Sequence, residues 1–267
     1  MRTGRLLAVP FVLLLAGSAA RAQPPDTVFI EELTWTELRD LIRSGKTTII
    51  VPIGGTEQNG PHMALGKHNR RVQLLSEKIA RALGDALVAP VIAYVPEGGA
   101  NPPTAHMKFP GTITIPEETF DKVLEYAARS LQHAGFRDIV FLGDHGGYQR
   151  DEKAVAERLD REWVATTDRV HAIEEYYRAS EAGFAQLLKS KGYGEGEIGT
   201  HAGLADTSLM LGVDPRLVRA DRLTGKPEEG SGVHGDPRRS SAELGRLGVD
   251  LIVTRTVEAI RKAVAHR

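Results

Sequence analysis

Glutamate, aspartate and histidine collect in three short stretches of this chain. Glu57, His62 and His68 fall in VPIGGTEQNGPHMALGKHN (51–69), Asp144 and His145 close DIVFLGDH (138–145), and His201 and Asp206 sit in THAGLADTSLML (200–211). Acids and imidazoles of this kind suit a hydrolytic metal site, in which three protein ligands hold a divalent ion and an open position takes water. The ion lowers the pKa of that water and polarises a carbonyl. The chain has no cysteine, so histidine, aspartate and glutamate are the available ligands for a transition metal. Spacing alone leaves a polar turn as the alternative, because no short ligand pattern such as H-E-x-x-H occurs. There is also no Walker A sequence, no G-x-G-x-x-G after a strand and no G-x-S-x-G elbow, which places nucleotide-binding and serine-hydrolase readings below the metal one.

The elements around these stretches alternate. TWTELRDLIRS (34–44) has helical spacing and stops at Gly45. TTIIVPIG (47–54) reads as a buried strand, and RRVQLLSEKIARALG (70–84) as a helix with Val72, Leu75, Ile79 and Leu83 along one stripe. ALVAPVIAYV (86–95) reads as a second strand, weakened by Pro90. The Gly/Pro-rich loop 96–110 is long for a compact domain, and loops of that length are commonly functional; His106 and Lys108 in it are candidate substrate contacts. Pro116 opens a helix to Gly135, a third buried strand follows at 138–144, then a helix at 151–163, a short strand at 169–173 and a long C-terminal amphipathic helix at 241–265. Strands alternating with such helices predict a three-layer α/β fold, a mostly parallel sheet flanked by helices. In such sheets ligands bind where strand carboxyl ends run into loops, and the first two polar stretches lie there.

The first 22 residues, MRTGRLLAVPFVLLLAGSAARA, have a basic start, a short apolar run and Ala20-Arg21-Ala22 at the end. That pattern predicts a cleaved signal peptide and a periplasmic or secreted mature chain, residues 23–267, forming one domain. The formal net charge is −1 with acids and bases interspersed, so neither a nucleic-acid footprint nor a membrane patch is expected.

PIGGTEQNGPHMALGKHN resembles the opening segment of the creatininase (creatinine amidohydrolase) family, which usually reads E-Q-H-G-P-H-L-P with an aspartate eight residues after that E-Q-H. KFPGTITI is similar to the family's H-F-P-G-T segment, FLGDHGGYQ to its N-G-H-G-G-N turn, HAGLADTSLML to its H-A-G-E-x-E-T-S helix start, and GVHGDPRRSSAELG to its G-D-P segment. The matches run in order over nearly the whole mature chain. The resemblance implies a metal-dependent hydrolase of small cyclic or linear amides, usually with two ions bridged by the aspartate. One ion's ligands carry over to Glu57, His68 and His145. The second ion's set falls on Asn59 and His68, and on Gly147 or Leu204 where a carboxylate is usual. A carboxylate bridges two ions whereas a neutral imidazole binds one, so the expectation is one ion per chain, zinc first and manganese second.

By the same resemblance His201 assists proton transfer, and Asp206, one methylene shorter than the usual glutamate, orients a histidine or acts through water. Asn59 and His62 are expected to support the ligand loop. Asp144 is open between a further ligand, a partner to a ligand and a solvent-facing residue. EGEIGTH before His201 lacks the aromatic-acidic pair of creatininase, so creatinine is not the expected substrate. A homo-oligomer is expected by analogy. Two other classes stand beside this one: a non-catalytic binding protein on a degenerate creatininase scaffold, and a lyase or isomerase using the ion as a Lewis acid.

Overall fold

The structure, a computed structural model, describes residues 25–265. The expected signal peptide and His266 lie outside the described residues. Four parallel strands form the sheet in the order β2-β1-β3-β4: β1 Thr48–Ile53, β2 Ala86–Val88, β3 Asp138–Gly143 and β4 Arg169–Ala172. Nine α-helices surround it among the described residues: α1 Trp35–Arg43, α2 Lys67–Leu83, α3 Glu117–Ala134, α4 Gln149–Glu162, α5 Glu174–Arg178, α6 Phe184–Ser190, α7 Glu195–Ile198, α8 Leu204–Val213 and α9 Ala242–Ala265. A single π turn, Ala179–Gly183, joins α5 to α6.

The three layers follow from strand alternation. Ile49, Val51 and Ile53 of β1 point to one face, with Phe120, Leu124, Tyr148, Val155 and Leu159 of the α3–α4 side. Ile50 points to the other, with Val72, Leu75 and Ile79 of α2 and Phe184, Leu209 and Ile252 beyond them. The three α2 side chains are wholly buried, each contributing about 1.5–3 kcal/mol. That stripe fixes α2 against the sheet and so fixes what its first turn presents.

Two differences from the expected elements have local causes. The second strand stops at Val88, because Pro90 has no N–H for the ladder; only an isolated bridge between Ile53 and Ile92 continues it. Helix α2 begins at Lys67, three residues before the predicted start, which brings His68 into its first turn. Gly54 makes that entry possible. A Cβ there would lie 2.1 Å from Asn69 Oδ1 and 2.8 Å from Asn69 Cα, so only glycine lets the exit of β1 meet the first turn of α2. Gly245 does the same where α9 crosses α8, since a Cβ would meet the Ser208 carbonyl at 1.8 Å.

Candidate metal centre

The exits of β1 and β3, the first turn of α2 and the start of α8 converge on one cavity of about 180 Å³, lined among others by Lys67, His68, His106, His145, His201 and Asp206. Tyr148 ties the two strand exits together. Its hydroxyl accepts from the main-chain N–H groups of Asp144 (3.2 Å) and His145 (3.1 Å) and donates to β1-exit carbonyl oxygen, Ile53 O lying at 3.0 Å.

Glu57 is the centre of the cluster and is wholly buried. Its Oε1 lies 2.7 Å from His68 Nε2 and 3.6 Å from Lys67 Nζ. Its Oε2 faces His106 Nε2 at 3.1 Å and His145 Nε2 at 3.6 Å, yet makes no hydrogen bond among the described residues. Burial by itself would push the Glu57 carboxyl up, but the charges of His68 and Lys67 and the His68 hydrogen bond hold it below the usual carboxylate range.

His68 stands between two carboxylates, with Nδ1 2.8 Å from Asp144 Oδ2. Both ring nitrogens therefore donate, and the imidazole is raised above its ordinary pKa although burial and Lys67 oppose this. Asp144 is the hub behind it. It accepts from Arg71 Nε at 3.0 and 2.9 Å and from the Tyr176 hydroxyl at 2.7 Å. Of the roles left open for Asp144, the geometry makes it the partner of His68 and not a solvent-facing group. Arg71 also donates to Asp206 Oδ1 at 2.8 Å, while Lys67 Nζ reaches Asp206 Oδ2 at 3.1 Å. Burial would raise Asp206, but Lys67 and Arg71 hold it well below the ordinary range. Lys67, at 1 % exposure, is thus a built-in cation between Glu57 and Asp206.

Gln58 assigns the tautomers of two further histidines. Its amide orientation is fixed, because Oε1 accepts from Gly60 N–H at 2.9 Å and Nε2 donates to the Gly232 carbonyl at 3.0 Å. His201 Nε2 lies 2.9 Å from the Gln58 main-chain carbonyl, which only accepts, so Nε2 carries the proton and Nδ1 keeps a lone pair. The second amide hydrogen of Gln58 then goes to His106 Nδ1 at 3.1 Å, which leaves the proton of His106 on Nε2, toward Glu57. Burial keeps both rings neutral; together with the charge of Lys67 it pushes His201 down to about 4. His145 is pushed down to about 3 by burial and then by the charge of His68.

Ligand atoms of Glu57, His68 and His145 lie within 4.8 Å of one another, as do those of Glu57, His106 and His201. A tetrahedral ion with bonds of about 2.1 Å spaces its ligand atoms by roughly 3.4 Å. The Glu57–His145 separation of 3.6 Å meets this, and the 2.7 Å Glu57–His68 contact is a hydrogen bond whose proton a cation would replace. Asp144 would then hold His68 Nδ1–H, the usual support of a histidine ligand. His145 Nδ1 now accepts a long contact from Gly147 N–H at 3.2 Å, which must be given up for Nε2 to offer its lone pair. Together with the unpartnered Glu57 Oε2, these residues fit one divalent ion.

The other expected residues are placed as follows. Asn59 turns away from the cavity; its Nδ2 donates to the Glu57 and Ala64 carbonyls. His62 Nε2 pairs with Thr207 Oγ1 at 3.0 Å behind the loop. His106 lines the cavity, whereas Lys108 is exposed and outside it. His234 also lines the cavity, held by main-chain pairing with His201. Lys67, Arg71 and Glu97 are among the residues of the site that escape sequence reasoning. Glu97 is 3 % exposed, and burial followed by the charge of Glu57 pushes it up to about 8. The available signal was an acid in the loop at the carboxyl side of the second strand.

Residues 31–260 match the family model described as Creatininase: Creatinine amidohydrolase. The creatinine amidohydrolase of Pseudomonas putida is 25 % identical over 265 residues, covering 88 % of this chain and 97 % of that protein. The mycofactocin precursor peptide peptidase of Mycobacterium tuberculosis (strain H37Rv) is 28 % identical over 230 residues, covering 76 % and 80 %. Among solved structures, a manganese form of creatininase superimposes with a TM-score of 0.72 at 26 % identity, covering 89 % of this chain and 99 % of that one. A mutant creatininase of Zn-Zn type gives 0.73 at 26 %, covering 89 % and 98 %. These relatives are hydrolases, the fold is theirs, and the chain belongs to the creatininase family.

Proposed function

We propose that this protein is an amidohydrolase for a small cyclic or linear amide, working with one divalent ion, zinc or manganese, held by Glu57, His68 and His145. The observation that carries the reading is the convergence of those three side chains, with one buried Glu57 oxygen left without a hydrogen-bond partner among the described residues. When bound, the ion supplies Lewis acidity and a more acidic water. His201 Nδ1 offers a lone pair within the cavity, 3.8 Å from Glu57 Oε1, placed to take and return a proton. His106 Nε2–H is placed to donate to an oxygen that gains negative charge, and Lys67 adds a fixed positive charge to the same wall. A cavity this small favours a compact substrate over a folded polypeptide. Lys67 supports the single-ion count, because a second cation between Glu57 and Asp206 would meet its ammonium. Export through a cleaved signal of residues 1–22 is part of the proposal, tested by N-terminal sequencing of the periplasmic fraction.

The test is metal content of the mature protein together with turnover of an amide and lactam panel, with Glu57→Gln and His68→Ala as inactive controls. One equivalent of ion with turnover lost in both variants supports the reading; two tightly bound equivalents overturn the ion count. The degenerate-scaffold reading draws on one observation, that both ring nitrogens of His68 have carboxylate partners within the protein, Glu57 and Asp144. Absence of both metal and turnover would favour it.

A further inference from the structure

We infer that Glu97 is a fourth protein ligand to the ion, a carboxylate supplied by the loop that leaves β2. The inference rests on the single-ion reading and adds a residue to it. Neither carboxyl oxygen of Glu97 accepts a hydrogen bond among the described residues, although the side chain is buried; its one polar neighbour in reach of a carboxyl proton is the Glu57 carboxylate. A buried carboxylate without a partner is costly as an anion, so it takes up a proton or waits for a cation.

Its surroundings point to the cation. Glu97 Oε2 lies 3.8 Å from His145 Nε2, on the side where Glu57 Oε2 is also unpartnered. One oxygen of Glu57 and one of Glu97 thus both lie beside the same imidazole nitrogen. The backbone holds the acid there, with the Glu97 N–H donating to Thr114 Oγ1 at 3.0 Å. Gly55, at φ +150°, leaves it room, since a Cβ at that position would lie 2.5 Å from Glu97 Oε1. Gly147, where a carboxylate would otherwise arrive from the histidine turn, has no side chain to offer, and a Cβ there would crowd His145 Nδ1 at 3.0 Å. The acid therefore reaches the same neighbourhood from a different loop. Two carboxylates with two imidazoles make a ligand set richer in oxygen than His₂Glu, which moves preference toward manganese.

The test uses the full mature protein stripped with a chelator and reloaded with Mn²⁺ or Zn²⁺. Calorimetry and elemental analysis are compared between the unaltered protein and Glu97→Gln, with thermal melting of both metal-free forms. Infrared spectroscopy follows the protonated-carboxyl band of the metal-free protein. The expected result is a metal-free Glu97→Gln that melts at least as high as the unaltered protein, binds the ion at least about tenfold more weakly, and lacks a carboxyl band that loading abolishes in the unaltered protein. A Glu97→Gln protein that binds within about twofold of the unaltered one, with the carboxyl band surviving loading, overturns the inference alone. Failure of the unaltered protein to bind any ion overturns the single-ion reading and this inference with it.

Discussion

Removing the Lys67 ammonium should open a second cation site. In Lys67→Met the stem that packs in α2 is kept, and Asp206 is not stranded, because Arg71 Nη1 still donates to its Oδ1 at 2.8 Å. The vacated position is bounded by Glu57 Oε1, 3.6 Å from the present Nζ, by Asp206 Oδ2 at 3.1 Å, and by the free Nδ1 of His201. At an effective dielectric of about 20, a dication placed about 4 Å from an ammonium is repelled by roughly 8 kcal/mol. Even a quarter of that, about 2 kcal/mol, weakens binding roughly 30-fold. Elemental analysis after dialysis against excess Mn²⁺ should therefore show stoichiometry rising from one toward two in Lys67→Met, while Lys67→Arg stays at one. Calorimetry should resolve a second binding event at least about 30-fold tighter than any in the unaltered protein. A folded Lys67→Met protein with one ion and an unchanged isotherm would refute the electrostatic exclusion.

Gln58→Glu keeps the oxygen that Gly60 N–H uses but turns the donor facing His106 Nδ1 into an acceptor. The proton of His106 should move to Nδ1, and long-range ¹H–¹⁵N spectra of the imidazoles should report the opposite tautomer from the unaltered protein; an unchanged pattern would contradict the assignment. Asp144→Asn removes the charge that pairs Arg71 and His68 in a buried setting and should cost about 3–5 kcal/mol in urea unfolding. Glu125 is held down to about 2 by hydrogen bonds from Lys122, Arg158 and Arg129. Its folded pKa lies below its unfolded one, so its contribution is present above about pH 4.5 and lost as pH falls toward 2. Screening by solvent reduces the effect to about 1–2 kcal/mol, and Glu125→Gln should be destabilised by that amount at pH 7 and by only a small fraction of it at pH 2.

The elements that build the core were legible because their signals are local. The helical spacing of 34–44, the β-branched run of β1 and the Val72-Leu75-Ile79 stripe are each set by residues close together in the chain. The polar first turn of α2 was not legible by the same means, because periodicity reports the face turned to the core and Lys67 and His68 face the cavity. A lysine reads as solvent-exposed until its partner is known, and the partner of Lys67 is Asp206, 139 residues away. Glu97 belongs to a loop with no period at all, so only the fold reveals that its carboxylate is buried beside Glu57. Asn59, expected to support the ligand loop, donates to the Glu57 and Ala64 carbonyls of that loop.

The departures from the family pattern become one arrangement when the charges are counted. Glu57, Asp144 and Asp206 are held as anions, and Lys67, Arg71 and the doubly donating His68 are the cations facing them. With Glu97 carrying its proton, three negative charges meet three positive ones, and the buried site is neutral before any ion arrives. A divalent ion then enters at constant charge if two protons leave, one from His68 Nε2 and one from Glu97, both of which lie against the cluster that would hold it. The next acid on the cavity wall, Glu181, lies on the π turn, and burial followed by Asp206 pushes it up to about 7. The proposed one-ion count therefore rests jointly on the lysine that stands beside Glu57, the imidazole at position 68 and the glutamate from the β2 loop, with Glu181 the acid that a second ion would have to recruit.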